Sequence, residues 1–131
     1  MANQIYVAGG WFDKEQMAAI KELEELFDID SFRPRLDTKH LIPDWDAIYN
    51  ENIKHLSRCD MVIASTIGKD MGTLWECGYA CALNIEVIYY TPGISRPNLM
   101  LGKSGIICST IEEVYAYVYD GILPLAGTDY E

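Results

Sequence analysis

Short apolar runs alternate with amphipathic segments along this chain, and that alternation predicts the elements and their order. Runs that are rich in β-branched and aromatic residues and too short for helices predict buried strands at 4–8, 59–65, 85–90 and 106–108. Apolar positions spaced three or four residues apart predict helices at 13–27, 44–57, 70–83 and 111–119. This order predicts an α/β fold, a doubly wound and mostly parallel sheet flanked by helices, of the Rossmann or flavodoxin type.

The stretches between these elements predict loops. Two prolines and mixed charge favour a loop at 31–43 that begins with a short strand, and a Pro- and Gly-rich composition favours a second loop at 91–103. The tail at 121–131 has little periodicity. No internal repeat or low-complexity segment is evident, and the length suits a single core, so we expect one domain over residues 1–131.

The predicted sheet gathers several polar and aromatic residues at one edge. In a parallel sheet, ligands bind beyond the carboxyl ends of the strands. The loops that follow the predicted strands at 4–8, 59–65 and 85–90 meet at that edge. We therefore expect a single crevice to hold five residues: Gly9, Trp11, Phe12, Asp70 and Glu76.

The pair Gly9-Gly10 is a weak indication of a phosphate-binding loop. Neither G-x-G-x-x-G nor G-x-x-x-x-G-K-[ST] is present, and the bulky Trp11 and Phe12 follow where a phosphate cradle needs small residues. Two aromatic rings at a strand end are suited to stacking on a flat ligand ring. Packing of both rings in the core is the other interpretation.

Charge and composition argue against several classes of function. The formal net charge of −10 disfavours binding to a nucleic-acid backbone, which requires clustered lysine and arginine, but allows a nucleoside or nucleobase ligand. No apolar run reaches membrane-spanning length and no signal peptide is evident, so we expect a cytoplasmic protein without a membrane partner. The four cysteines form no C-x-x-C pair and the two histidines are isolated, which predicts reduced thiols, no metal site and no Cys/His catalytic pair.

The segment 70–80 is the most informative part of the chain. It contains two carboxylates, Asp70 and Glu76, with a Gly-Thr pair between them. Glu76 falls in the second turn of a predicted helix among apolar or small residues, where a carboxylate is costly unless it has a partner or a role. Beside a sugar, one such role is nucleophilic attack on the anomeric carbon. The alternative is a solvated glutamate that complements the helix dipole.

Five segments together resemble the nucleoside 2-deoxyribosyltransferase family. The most specific are the D-x-G-T-x-x-E-x-G block at 70–78 and the Asn-Leu-Met sequence that follows it at 98–100. The others occur in the family's order, at 5–12, 49–53 and 59–62. The resemblance implies transfer of 2-deoxyribose between nucleobases by double displacement through a covalent deoxyribosyl-glutamate. The implied substrates are a deoxynucleoside and a free nucleobase, and the chemistry requires no cofactor.

The resemblance also implies a role for each matching residue. Glu76 matches the nucleophilic glutamate, Tyr6 the tyrosine that hydrogen-bonds and orients it, and Asp70 the aspartate that contacts the deoxyribose. Asn98 and Met100 match residues that reach the 5′-hydroxyl end from a neighbouring subunit. This implies a homo-oligomer, a dimer-based hexamer, with shared active sites. The family's C-terminal residues also close the site, which adds two candidates from the tail: Tyr130 and Glu131.

One position departs from the family pattern. Where the family has an aspartate that recognises or protonates the base, this chain has Asn52. An amide donates and accepts hydrogen bonds but cannot deliver a proton, which leaves Glu51 or Asp60 open as a partial substitute. The poorly matching loop at 35–43 is a further candidate for base selection.

Two other functions stay open at this point. A hydrolase of nucleoside 5′-monophosphates would need groups that bind phosphate, and both the net acidity and the Trp11-Phe12 pair disfavour it, whereas Arg96 favours it. A non-catalytic nucleoside-binding module would tolerate loss of the nucleophile, but this chain retains both Glu76 and Tyr6.

Overall fold

The computed structural model describes residues 4–125 and 129–131 and contains a five-stranded, fully parallel sheet in the order β2-β1-β3-β4-β5. The strands are β1 (Ile5–Ala8), β2 (Ser31–Phe32), β3 (Met61–Ser65), β4 (Glu86–Tyr90) and β5 (Ile106–Cys108). The helices are α1 (Lys14–Leu26), α2 (Pro34–Asp37), α3 (Trp45–Leu56), α4 (Met71–Ala82), α5 (Leu99–Ser104) and α6 (Ile111–Asp120). The predicted α/β fold is confirmed. The expected domain spans 1–131, of which 1–3 and 126–128, the latter in the predicted tail, lie outside the described residues.

Both faces of the sheet are buried, because successive residues of a strand point to opposite sides. On β1, Ile5 and Val7 pack against α1 and α6, which cover one face. Tyr6 and Ala8 belong to the other layer, where Cys77 of α4 packs. Tyr6 therefore faces the helix that carries the predicted nucleophile.

The two predicted loops contain helices, which corrects the interpretation drawn from their prolines. The segment 31–43 begins with β2 as expected but continues into α2 and a 3-10 turn at Lys39–Leu41. Pro34 occupies the first turn of α2, where its missing N–H needs no helical partner. The segment 91–103 contains most of α5, which begins directly after Asn98. In both segments a proline lies at or just before the first residue of a helix, so it does not prevent a helix from forming there.

Aspartate caps fix where the helices begin after two strands of the sheet. Asp13, after β1, accepts a hydrogen bond from the backbone N–H of Gln16 at 2.8 Å. Asp70, after β3, accepts one from the backbone N–H of Thr73 at 3.0 Å. Such caps satisfy amide groups that the first turn of a helix leaves without partners. They therefore anchor the two loops that carry most of the predicted site residues.

Candidate active site

A cavity of about 550 Å³ opens at the carboxyl edge of the sheet, between the end of β1 and the facing sides of α3 and α4. This volume suits a small-molecule ligand. The five residues that the sequence gathers at one crevice all line the cavity, and so does Asn52. The fold thus brings together residues from four separate elements or loops at the edge where parallel sheets bind ligands.

Tyr6 and Glu76 meet at this cavity. The hydroxyl group of Tyr6 donates a hydrogen bond to the Glu76 carboxylate. Tyr6 is fully buried, and its ring stacks on Phe32 at a centroid distance of 5.6 Å. Glu76 lines the cavity from α4. The hydroxyl is therefore held by the core and fixes one oxygen of the Glu76 carboxylate, whose other oxygen accepts no hydrogen bond from a described residue.

The pKa of Glu76 lies well above its ordinary value. Burial raises it, the negative charge of Asp70 raises it further, and the hydrogen bond from Tyr6 lowers it, with a resulting pKa of about 7. Burial, together with the Glu76 carboxylate, raises the pKa of Tyr6 well above its usual range. Tyr6 therefore stays protonated and donates its hydrogen bond, while Glu76 changes charge near neutral pH. A solvated glutamate, the alternative considered for Glu76, has none of these features.

Asp70 has two distinct oxygens. Its Oδ2 accepts hydrogen bonds from the backbone N–H and the hydroxyl of Thr73, at 3.0 and 2.9 Å. Its Oδ1 accepts no hydrogen bond from any described residue, and Asp70 lines the cavity. One oxygen thus secures the start of α4, and the other is free to accept a hydrogen bond from a ligand hydroxyl.

Aromatic rings form the walls of the cavity. Trp11 and Phe12 are 38% and 75% exposed and stack on each other at 5.4 Å, so the alternative of core packing is wrong for this pair. Tyr49 and Trp75 line the cavity from α3 and α4, with their ring centroids 6.3 Å apart. Sequence reasoning did not single out these two rings. Tyr49 lies one helical turn before Asn52, and Trp75 adjoins Glu76, so helical spacing from the named residues could have found them.

Sequence reasoning did not single out Gln16 either. Its side chain is buried, where Oε1 accepts from the backbone N–H of Phe12 at 2.8 Å and Nε2 donates to the carbonyl of Ile67 at 3.3 Å. Gln16 thus joins the loop after β1 to the loop after β3. A side chain at Gly68, which has a positive φ of 76°, would collide with it.

Asn52 lines the cavity from α3, and its Oδ1 is buried without a hydrogen-bond partner. Neither candidate substitute for an acid at this position lines the cavity. The Glu51 carboxylate contacts the His55 ring at 3.0 Å. Asp60 precedes β3, at the amino edge of the sheet, and accepts from the backbone N–H of Gln4 at 2.9 Å. No residue of the segment 35–43 lines the cavity either.

Asn98 and Met100 lie outside the cavity. The Asn98 Oδ1 caps α5 by accepting from the backbone N–H groups of Met100 and Leu101, at 2.9 and 3.4 Å. Asn98 therefore has a structural role within its own chain, which its loop-like sequence context does not indicate. Met100 is 73% exposed. Their contribution to a neighbouring subunit's site stays a prediction.

The tail candidates, Tyr130 and Glu131, lie against the same segment. The backbone N–H of Glu131 donates to the Pro97 carbonyl at 2.9 Å, and its carbonyl accepts from the Leu99 N–H at 3.3 Å. The Tyr130 carbonyl accepts from the Arg96 guanidinium at 2.9 Å. The end of the tail thus holds the segment that precedes α5, and it does not line the cavity around Glu76.

Within 4–125 and 129–131, no group of three or more His, Cys, Asp or Glu side chains could hold a metal ion. No helix in these ranges combines the length and the apolar character that crossing a membrane requires.

Known proteins resemble this chain in sequence and in fold. A family model of nucleoside 2-deoxyribosyltransferases matches residues 5–110. The fold is similar to that of a 2-deoxyribosyltransferase from Bacillus psychrosaccharolyticus, with 22% identity, 94% of this chain and 99% of that chain covered, and a TM-score of 0.76. It is also similar to a 2-deoxyribosyltransferase from Leishmania mexicana, with 24% identity, coverage of 92% and 99%, and a TM-score of 0.71.

A third similar structure belongs to an enzyme with a different activity. It is the CMP N-glycosidase BcmB of Clostridium botulinum, with 14% identity, coverage of 88% of this chain and 97% of that chain, and a TM-score of 0.59. No curated protein matches the chain at a significant level. Because the family model covers most of the sequence, this chain belongs to the nucleoside 2-deoxyribosyltransferase family of enzymes.

Proposed function

We propose that this protein transfers 2-deoxyribose between nucleobases, with Glu76 as the nucleophile. The observation that carries the proposal is the Tyr6–Glu76 hydrogen bond at a cavity with aromatic walls. A buried hydroxyl that holds a carboxylate fixes its direction of attack, and fixed geometry accounts for much of the rate of such reactions. Membership of the family supports the same reaction class.

The reaction takes place in two displacements at the anomeric carbon, C1′. In the first, a Glu76 oxygen forms a bond to C1′ while the bond from C1′ to the base nitrogen breaks, and the base leaves with the electron pair and takes up a proton. In the second, a nitrogen of the incoming base attacks C1′, loses its proton, and releases the Glu76 carboxylate. Each displacement inverts C1′, so the product keeps the original configuration.

The other residues of the cavity support this chemistry by position and charge. C1′ gains positive character as its bond to the base breaks, and the carboxylates of Glu76 and Asp70, which both line the cavity, would stabilise that charge. The free Oδ1 of Asp70 accepts a hydrogen bond from a sugar hydroxyl. Trp11 and Phe12 offer exposed ring faces for stacking on the base.

Hydrolysis of a nucleoside 5′-monophosphate fits this cavity less well. Among the described residues, the charged ones that line it are Asp70 and Glu76, both acidic, and none is a lysine, arginine or histidine. A phosphate dianion would be repelled by this lining. Arg96, which favoured the hydrolase in the sequence, contacts the Tyr130 carbonyl and the Asp129 carboxylate instead.

A base-exchange assay tests the proposal. The protein is mixed with 2′-deoxycytidine or 2′-deoxyinosine as donor and adenine as acceptor, and chromatography measures 2′-deoxyadenosine and the released base. Equal amounts of the two products indicate transfer. Base release that does not depend on adenine indicates hydrolysis, and binding without either product indicates a non-catalytic module. The variant Glu76→Gln, which keeps the shape of the side chain, should form no product above the uncatalysed background.

A further inference from the structure

We infer that Gln16 is a positioning residue, which holds two rings of the cavity wall at a set distance from a carboxylate on its other side. The rings are Trp11 and Phe12, proposed to stack on the base, and the carboxylate is that of Asp70, proposed to contact the sugar. Gln16 does not line the cavity and acts through the backbone of two loops. The inference deepens the proposed function and rests on it for the identity of the ligand.

Two hydrogen bonds determine the orientation of the Gln16 amide. Its Oε1 accepts from the backbone N–H of Phe12 at 2.8 Å, and its Nε2 donates to the carbonyl of Ile67 at 3.3 Å. Turning the amide over would bring two donors together at Phe12 and two acceptors together at Ile67. A side chain therefore needs both an acceptor and a donor at this position to link the two loops.

Capping of α1 does not account for these contacts. Gln16 is the third residue of α1, where a glutamine side chain commonly reaches back to the backbone N–H of the cap residue, here Asp13. Its Oε1 accepts instead from Phe12, the residue before the cap. The bond to Ile67, which is 51 positions away in sequence, lies outside the helix and satisfies none of its amide groups. The side chain therefore joins two loops rather than closing the first turn of α1.

Two glycines leave room for the amide between the loops. A Cβ atom at Gly10 would lie 2.8 Å from the Nε2 of Gln16, and one at Gly68 would overlap the same nitrogen. The Cβ of Asp70 would lie 3.0 Å from the added atom at Gly10, so the first loop also packs on this aspartate. Gln16 is 5% exposed, and closely packed groups pass on a displacement rather than absorb it. A change in the amide should therefore shift the loop of Gly10 relative to Asp70.

Each linked loop carries one side of the cavity. The loop after β1 contains Phe12 and its stacking partner Trp11, with their ring centroids 5.4 Å apart. The turn after β3 contains Ile67 and ends at Asp70, which caps α4. Phe12 is 75% exposed, so the position of its ring depends on the backbone that Gln16 bonds. Without this link, binding of a base must also order the two rings, and that ordering costs affinity.

Separate measurement of kcat and KM tests the inference. Gln16→Met keeps the length and helix propensity of the side chain but has neither amide group. Base exchange is measured with saturating 2′-deoxyinosine and varied adenine. We expect KM for adenine to rise roughly five- to fiftyfold, because the base must then order the rings, and kcat at saturating adenine to stay within about twofold. Tyr6→Phe, which acts on the nucleophile, should show the reverse pattern.

Two further variants separate positioning from stability. Gln16→Glu still accepts from the Phe12 N–H but, when ionised, brings a carboxylate against the Ile67 carbonyl, so its KM should rise as well. Leu23 lies in the core on the same helix and does not line the cavity. Leu23→Val is the matched control, since it should lower the melting temperature and leave KM and kcat unchanged.

The outcomes that overturn the inference are specific. They are an unchanged KM in Gln16→Met, a fall in its kcat at constant KM, or an equal rise of KM in Leu23→Val. Circular dichroism checks that each variant is folded. If Gln16→Met does not fold, Gln16→Glu decides by the same measurement.

Calorimetric titration separates this inference from the proposed function. If wild-type protein supports no exchange, the Kd of free adenine is measured directly for wild type and Gln16→Met. Weaker binding by the variant would uphold the role of Gln16 without transferase activity. Equal binding, or no binding by either protein, would refute it. Exchange that takes place with no rise in KM would uphold the transferase and refute the positioning role.

Discussion

The hydroxyl of Tyr6, in the buried strand β1, donates a hydrogen bond to the carboxylate of Glu76, in the second turn of α4. The two residues are 70 positions apart in sequence, and the parallel sheet brings them together by placing α4 over the face that Tyr6 occupies. This contact ties a fully buried residue of the core to the residue proposed to react. It leads directly to the first predictions.

Replacing Glu76 should abolish transfer without unfolding the protein. Glu76→Ala is expected to lower kcat by several orders of magnitude, because loss of a covalent nucleophile removes the pathway itself. Steady-state base exchange measures the loss, and circular dichroism checks the fold. A slow 2′-fluoro-2′-deoxynucleoside should also leave a fluorodeoxypentosyl group on Glu76, which peptide mass spectrometry would locate. Near-normal turnover in Glu76→Ala, or the sugar on another residue, would refute the assignment.

Removing only the Tyr6 hydroxyl should lower kcat by less than removing Glu76 does. Tyr6→Phe keeps the ring on Phe32 but frees the carboxylate, so we expect a ten- to hundredfold lower kcat from the loss of one hydrogen bond worth about 1–3 kcal/mol. KM should change little, because the ring still fills its place in the core. An unchanged rate would mean that the hydroxyl has no part in orienting Glu76.

The pKa of Glu76, about 7, predicts a pH-dependent rate. The nucleophile must be ionised, so kcat/KM should rise with pH and reach half its maximum near pH 7. Tyr6→Phe removes a hydrogen bond that lowers this pKa, so its midpoint should move to higher pH. Asp70→Asn removes a negative charge that raises it and should move the midpoint to lower pH, while the amide can still cap α4. Midpoints that do not move in opposite directions would contradict this assignment of the titrating group.

The same pKa predicts that Glu76 destabilises the fold at high pH. Its pKa is higher in the folded chain than the ordinary 4.5, so its favourable contribution to stability is complete below pH 4.5 and is lost as pH rises through about 7. Glu76→Gln should therefore gain stability relative to wild type between pH 5 and pH 8, by roughly 1–3 kcal/mol. Urea unfolding at several pH values measures the difference. Glu25→Gln, at an exposed position of α1, controls for the exchange of acid for amide, and an equal gain there would contradict the prediction.

Asn98 tests whether active sites are shared between subunits. Its Oδ1 caps α5, which leaves the amide nitrogen as the group able to reach a neighbour's 5′-hydroxyl. Asn98→Asp keeps the capping oxygen and removes the donor, so we expect weaker deoxynucleoside binding with little loss of stability. Asn98→Ala should lose both the donor and the cap, the latter worth about 1 kcal/mol.

Mixing inactive subunits completes this test. A mixture of the Glu76→Ala and Asn98→Ala proteins should be more active than the two proteins measured separately, because some hybrid sites hold an intact residue of each kind. Light scattering should find a homo-oligomer, since closed symmetric assemblies are the usual outcome. A fully active monomer would refute the shared site.

The sequence predicts the cavity well because strand alternation and helical spacing determine where its main residues lie. Alternation along β1 puts Tyr6 on the face opposite Val7, and the position of Glu76 in the second turn of α4 follows from the Asp70 cap. The carboxyl edge of a parallel sheet then gathers the loops around Gly9 and Asp70. These features depend on local pattern and on topology, which sequence carries directly.

Features that depend on distant partners were not predictable in the same way. Gln16 contacts the backbone at Phe12 and at Ile67, and nothing in the periodicity of α1 marks a side chain that joins two loops. The helix α5 was expected as loop, because Pro97 suggests irregular structure whereas Asn98 supplies a cap. Whether Trp11 is buried or exposed could not be predicted for a similar reason. An aromatic residue at a strand end packs inward or outward according to its surroundings.

The thiol beside the nucleophile has a chemical consequence. Cys77 follows Glu76 in the chain but lies in the core layer under α4 and is 1% exposed. Burial, assisted by the charge of Glu76, raises the pKa of Cys77 to about 12, so almost no thiolate exists at neutral pH. A thiolate that attacked the anomeric carbon in place of the incoming base would form a stable thioglycoside and end turnover. The burial of Cys77 keeps its sulfur away from the cavity in which the proposed reaction takes place.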